Sequence, residues 1–440
     1  MHLRLPKLSV LRSALGFSLS LLVVLIIVSD LSGLIPNAVF GAMMYMILLL
    51  GFRVIRPVIA IQSVFIGAVG FVLMVAYDQV STVRAFSAIA ENASIVGLIC
   101  GVYALRLLAR PTENGVNVFQ IKPTPANLLL VAHALGSCLN LAVIRVVGDT
   151  FRRSQSLNNH QTSALLVGFA TCSSWSPFFA ALTLCVTAVP GSSYGHVAPF
   201  GFLFSFCFIC LMWYRIATQQ YVDRADDSMV SIDLSLAVWI ALLIAMTSIG
   251  LINFPGVGVV TIVTISAVLT GVSAAFLGVL QGFGWSSLHV FVTRDLPAAL
   301  NEVALFSACG VLSLGVSAAL LSLSLDFTLS EWPDIFALLV PLSILALALI
   351  GLHPIAGVAL VGTALTPMFF DGPDLLALML SIGWCLGVIF SPFSGAQLHL
   401  ASSFGTDRAA LIKTQVALLP IALVSILVSF SVFRIVNFVP

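Results

Sequence analysis

The sequence predicts an all-α polytopic membrane protein with two structural repeats, each holding a re-entrant helical hairpin and a broken transmembrane helix. Three observations carry that expectation. First, 60% of the 440 residues are hydrophobic and only 8% are charged, far more apolar surface than a soluble core can bury. Second, residues 118–145 and 290–317 align without a gap at an offset of 290 − 118 = 172, superimposing Phe119 on Phe291, Lys122 on Arg294, Pro125 on Pro297 and Leu128 on Leu300. A duplicated segment in such a chain points to an internal repeat. Third, prolines interrupt long apolar runs at Ser176-Pro177 and His353-Pro354, where they remove an amide donor and free nearby carbonyls.

Taken in order, residues 1–33 form an N-terminal transmembrane helix. His2, Arg4, Lys7 and Arg12 precede its apolar run, and no small-residue cleavage pattern appears before Asp30, so it reads as a span with a cytoplasmic N-terminus rather than as a leader. The first repeat, 34–217, holds spans at 34–52, 57–77 and 86–109, a hairpin at 126–145, a broken helix at 162–189 and a span at 198–216. The second, 218–405, holds spans at 234–251 and 257–280, a hairpin at 298–325, a broken helix at 335–365 and a run at 375–390. Residues 406–440 form a C-terminal span around 411–433. With the two hairpins this is roughly a dozen units of helical length.

Arg53 and Arg56, Arg106 and Arg110, Arg145, Arg152 and Arg153, and Arg215 and Arg224 all favour the cytoplasm. Arg106/Arg110 before the first hairpin and Arg152/Arg153 after it ask for one side, so that segment enters and leaves on the same face, turning at Gly136 and Ser137. By the repeat, the second hairpin turns at Cys309 and Gly310.

The breaks are the chemical centre of the sequence. Thr171-Cys172-Ser173-Ser174-Trp175-Ser176-Pro177 in one half corresponds in place to Gly351-Leu352-His353-Pro354-Ile355-Ala356-Gly357 in the other, and Pro177 pairs with Pro354 at an offset of 354 − 177 = 177. Broken helices at membrane depth need protein or a watery cavity around them. Their half-helix N-termini present amide donors and a positive dipole to an anion, and freed carbonyls suit a cation. A third interruption, Ser391-Pro392-Phe393-Ser394, echoes Ser176-Pro177-Phe178; it either lines the same cavity or is a C-terminal kink.

The candidate substrate ligands are Ser137, Ser173, Ser174, Ser176, His353, Thr363, Ser391, Ser394 and Gln397, and the candidate ion-coupling residues are Asn301, Glu302, Cys309 and Gly310. Ser137, Cys138, Cys309 and Gly310 are expected to approach both breaks around one polar cavity. Glu302 stands out because an intramembrane carboxylate is costly unless paired or functional; Glu91 is the second such acid. His133 reads as a packing histidine, and the Cys207/Cys210 pair as small buried thiols. Asn92-Ala93-Ser94 matches a glycosylation acceptor only by accident, since it lies within a span.

Those residues resemble the ion transporter superfamily, which includes divalent-anion/sodium symporters, citrate carriers and arsenite permeases. The likeness covers about 34–405 by organisation more than by identity, and Asn301-Glu302-Val303-Ala304-Leu305-Phe306 with Gly310 is similar to that family's hairpin style. One departure is that neither Ser174-Trp175-Ser176 nor Leu352-His353-Pro354 has the Ser-Asn-Thr signature of dicarboxylate symporters. The resemblance implies an elevator-type secondary carrier, usually a homodimer.

The expectation is therefore a secondary active transporter of a small organic or inorganic anion, coupled to Na+ or H+, in a bacterial inner membrane. Its partners are that anion, membrane lipid and a second copy. No enzymatic activity, catalytic residue, resident metal or other cofactor is expected, and a net charge of +1 gives no basis for nucleic-acid binding. The alternatives are a cation/proton antiporter using Glu302 and Glu91 and, less favoured, an integral-membrane enzyme, against which His160 and His196 stand isolated.

Overall fold

The computed structural model describes residues 5–78, 80–108, 118–140, 143–144, 146–148, 157–218, 230–280, 284–323, 333–369 and 372–437. Arg110, Arg145, Arg152, Arg153 and Arg224, used above for topology, lie outside the described residues. Among the described residues, nine helices are long and apolar enough to cross a membrane, so the chain is an integral membrane protein built of α-helices.

In chain order the first elements are α1 (Leu5–Ser32), α2 (Asn37–Gly51), α3 (Pro57–Tyr77), α4 (Thr82–Ile89), α5 (Ala93–Tyr103), β1 (Val118–Ile121) and α6 (Pro125–Leu139). The broken span follows as α7 (Asn159–Thr171) and α8 (Ala180–Ala188), then α9 (Tyr194–Thr218) and β2 (Val230–Asp233). Next come α10 (Leu234–Asn253), α11 (Val259–Leu280), α12 (Gly284–Val290) and α13 (Leu300–Leu323). The chain ends with α14 (Pro333–Leu349), α15 (Pro354–Leu365), α16 (Pro373–Phe390), α17 (Gly395–Phe404), α18 (Arg408–Val416) and α19 (Leu419–Asn437).

The contacts divide the chain into two compact units, Met1–Thr112 with Ser235–Leu325 and Glu113–Leu234 with Asp326–Pro440. Each expected repeat contributes to both.

In the first unit α3 and α13 meet at backbone distance. A Cβ on Gly315 would lie 2.2 Å from the Gly70 carbonyl oxygen, and one on Gly70 would lie 2.5 Å from the Leu312 nitrogen; small residues permit this approach between apolar helices. α4 starts under a Ser81 cap and α5 follows after a short unwound stretch at 90–92. There Asn92 is buried and donates to the Phe306 carbonyl at 3.0 Å, which leaves no room for a glycan.

The second hairpin is not formed. α13 runs without interruption through Cys309 and Gly310 for 24 residues, about 36 Å of helix and enough to span a bilayer. Gly310 is required for close packing rather than for a turn: its Cβ would meet the Ala88 carbonyl oxygen at 2.6 Å. The 172-residue offset therefore relates unlike structures. Val118–Ile121 is a strand, whereas Val290 ends a helix and Phe291–Asp295 continues it as a π turn.

In the second unit β1 and β2 pair antiparallel from Val118 with Asp233 to Ile121 with Val230. α6 begins with Pro125 under a Thr124 cap and runs through Gly136 and Ser137, so the first hairpin turns at Asn140 instead, at a φ of 51°. A Cβ on Gly136 would touch Val143 at 3.4 Å, so the chain folds back there, and residues 143–144 and 146–148 are helical.

The segment expected to be a broken helix at 335–365 is also a hairpin. A Cβ on Gly357 would lie 3.8 Å from the Ile344 Cα, whereas 357 − 344 = 13 residues of straight helix would separate them by roughly 20 Å. Gly351, at a φ of 100°, supplies the left-handed backbone that reverses the chain. The broken helix of this half is instead α16–α17. Finally α9 packs on α19, where Ser429 donates to the Phe200 carbonyl at 2.8 Å and the Phe200 and Phe433 rings lie 4.8 Å apart.

Candidate functional site

Two arrangements in the second unit mirror each other. α7 starts with a capping box between Asn158 and Gln161, passes into a tight turn at Cys172–Ser174, and stops before Pro177. Ser176 then ties the break to the hairpin: its Oγ donates to the Ser137 carbonyl and accepts the Phe178 amide at 3.2 Å. Asn140 at the turn donates from Nδ2 to the Phe178 carbonyl at 3.3 Å.

At the other break Ser391 Oγ donates to the Ala348 carbonyl at 2.6 Å and accepts the Phe393 amide at 3.2 Å. The Phe393 ring covers Gly351, where a Cβ would lie 3.8 Å from it. The spacing is constant along each element: 391 − 176 = 215 and 383 − 168 = 215 for the broken helices, 348 − 137 = 211 and 351 − 140 = 211 for the hairpins. Gly168 and Gly383 both admit the preceding hairpin arm, since a Cβ would lie 2.5 Å from the Leu129 carbonyl oxygen in one case and 3.0 Å from the Pro341 Cα in the other. Pro177 thus pairs with Pro392, not with Pro354. Pro354 begins the return arm of a hairpin.

Most of the expected ligand hydroxyls are occupied in mending these breaks. Ser173 donates to the Ala170 carbonyl at 2.7 Å. Ser174 donates to the Thr171 and Gly201 carbonyls, both at 2.9 Å, and lies 3.1 Å from Ser205 Oγ, so it faces α9. Ser394 caps α17 by accepting the Gln397 amide at 3.3 Å and donates to the Val388 carbonyl at 2.9 Å, while Gln397 Nε2 donates to the Ile389 carbonyl at 2.6 Å. Ser137 donates to the Ala134 carbonyl at 2.8 Å. His353 caps α15 by accepting the Ile355 amide at 3.3 Å, and its ring lies 6.4 Å from Trp384. Thr363 is half-buried within α15.

What stays open is backbone. α8 starts at Ala180 with no side-chain cap from Phe179, and Ala180, Ala181 and Leu182 are buried. A helix start leaves its first amides without internal partners and concentrates positive potential there. α15 and α17, by contrast, carry His353 and Ser394 as caps.

Sequence reasoning missed three participants. Asn140 secures the first turn, but nothing in its neighbourhood marks it above Gly136. Trp175 has a buried indole Nε1 without a hydrogen-bond partner, and its ring sits 5.8 Å from His133 and 5.1 Å from Phe202. Arg408 reaches back from the start of α18 to the Pro392 carbonyl at 2.8 Å, a link across sixteen residues (408 − 392 = 16) that no local motif announces. His133 packs as expected, its Nδ1 lying 3.1 Å from the Gly168 carbonyl and 3.1 Å from Thr171 Oγ1. Cys207 is half-buried and Cys210 exposed, so this pair is not the buried one expected. Among the described residues no group of three or more His, Cys, Asp or Glu side chains could hold a metal ion.

The expected ion-coupling residues lie in the first unit. Asn301 Oδ1 accepts the Arg56 amide at 2.9 Å, and its Nδ2 donates to the Ala298 carbonyl at 2.9 Å. Glu302 occupies the first turn of α13, with Tyr103 as hydrogen-bond partner and the charges of Arg106 and Arg56 acting on it. Cys309 is buried. No family model matches the chain, and no curated protein matches it.

Proposed function

We propose that the protein is a secondary active carrier for a small organic or inorganic anion, driven by a sodium or proton gradient across a bacterial inner membrane, with its N-terminus cytoplasmic. The observation that supports this reading most is the mirrored pair of Ser-Pro-Phe breaks, each tethered to the turn region of its own helical hairpin within one unit. Duplicated breaks of this kind leave helix-end amides at membrane depth, which a carrier needs to hold an anion. On this view the structural repeats are 125–218 and 333–437 within the second unit, and the anion meets the uncapped start of α8. The resemblance to the ion transporter superfamily adds elevator-type alternating access and a homodimer to the proposal.

Ala180 provides the test. It is the first residue of α8, where proline fits because the missing amide has no helical partner, and Phe179 before it is extended at a ψ of 127°, as a residue before proline must be. Thermal-shift measurements on purified protein with phosphate, sulfate, succinate and citrate should find an anion that raises the melting temperature, and Ala180→Pro should weaken that shift without lowering the ligand-free melting temperature. Equal shifts in both proteins would place the anion elsewhere.

A further inference from the structure

We infer that Glu302 is a proton-binding site, so that the coupling ion of the proposed carrier is H+ rather than Na+; the inference rests on that functional reading for its role in transport, but not for its test. Glu302 Oε2 is buried and accepts no hydrogen bond. The titratable and charged groups that interact with the carboxyl are Tyr103, its hydrogen-bond partner, and Cys100 from α5, Arg106 in the turn after α5, and Arg56 between α2 and α3.

Neither arginine closes an ion pair with it. Arg106 lies over the Tyr103 ring, 3.9 Å from its centroid, a cation–π contact that engages its charge on the aromatic face. Arg56 offers its backbone amide to Asn301 at 2.9 Å. A carboxylate oxygen buried without a donor is costly, and a proton on Oε2 removes the charge and with it the larger part of that cost. Sodium would instead need several hard oxygens, and among the groups that act on Glu302 only the Tyr103 hydroxyl offers a side-chain oxygen.

The same geometry suggests how the proton leaves. When the Arg106 guanidinium moves from the ring of Tyr103 to Oε2, the carboxyl releases its proton to water and keeps its electron pair, and the guanidinium replaces the lost positive charge. Reversal takes the proton back. Tyr103 holds the other carboxyl oxygen in both states and acts as a positioning residue.

The test needs no substrate. Infrared difference spectra of the reconstituted protein, recorded between neutral and alkaline pH in H2O and in D2O, should contain a protonated-carboxyl stretching band. That band should be lost in Glu302→Gln, retained at a shifted frequency in Glu302→Asp, and unaffected in Glu91→Gln. A spectrum without such a band at neutral pH, or a band that survives in Glu302→Gln, overturns the inference. The two proposals fail separately: sodium-driven uptake with no band removes the proton site and leaves the carrier, whereas a Glu302 band without uptake of any anion removes the carrier and leaves the site.

Discussion

Ser391 donates its hydroxyl to the carbonyl of Ala348 at 2.6 Å, fastening the second helix break to the arm of the hairpin before it. Ser176 does the same to Ser137. Each hydroxyl also holds the amide two residues ahead, beyond the proline. These serines therefore set the distance between hairpin turn and break, and are not free to bind a solute.

The first prediction follows from that tether. Ser176→Ala and Ser391→Ala each delete a buried hydrogen bond inside the membrane, worth about 0.6–2 kcal/mol. Thermal unfolding in detergent should show a lower melting temperature for each variant and an additive loss for the pair, since the two tethers share no partner. No loss in either single variant would mean that the breaks are held by packing alone.

Ser174 gives a prediction of the opposite kind to the one its sequence context suggests. Its hydroxyl is fully engaged with Thr171, Gly201 and Ser205, so Ser174→Ala should lower thermal stability and leave the apparent KM for any transported anion unchanged. An altered KM at unchanged stability would return Ser174 to the substrate site.

The two turns should respond differently to substitution. Asn140 at a φ of 51° tolerates glycine in conformation but loses its bond to Phe178, whereas alanine also strains the backbone. Gly351 at a φ of 100° has no side-chain bond to lose. Asn140→Gly should therefore be milder than Asn140→Ala, and Gly351→Ala should cost about 1–2 kcal/mol, read as melting temperatures of the purified variants. Equal effects of glycine and alanine at 140 would remove the conformational argument.

Much of the fold was legible because its signals are local. Apolar runs mark the spans, Pro125 and Pro373 sit in the first turn of the helices they open, and the Ser-Pro-Phe motif occurs at both true breaks. The pairing of the halves was misread where one local signal serves two structures. Gly310 resembles a turn glycine yet admits the Ala88 carbonyl to a continuous helix. Pro354 resembles a helix breaker yet starts the return arm after Gly351, because proline is as well suited to a first turn as to a break. The hydroxyls near the breaks were legible as a cluster, but whether a serine faces a solute or a freed carbonyl depends on neighbours distant in sequence, as Gly201 and Ala348 show. Arg408 was hidden for the same reason.

The reassigned helix leads to a direct check. Single cysteines placed along 302–322 in a background lacking native cysteines should give an aqueous-label accessibility profile with a 3.6-residue period and no accessible tip at 309–310, because α13 is one helix. A peak of labelling centred on 309–310 with flanks open to the same side would restore the re-entrant hairpin.

Anion uptake into proteoliposomes tests the central claim most directly. With purified protein reconstituted in lipid and labelled phosphate, sulfate, succinate and citrate offered in turn, an imposed inward proton gradient should drive at least one anion above its equilibrium level, and a protonophore should collapse that accumulation. The Ser176→Ala, Ser391→Ala double variant should accumulate it several-fold more slowly. If folded wild-type protein accumulates none of these anions beyond protein-free liposomes under either a proton or a sodium gradient, the mirrored breaks are not the centre of such a carrier and the account is contradicted.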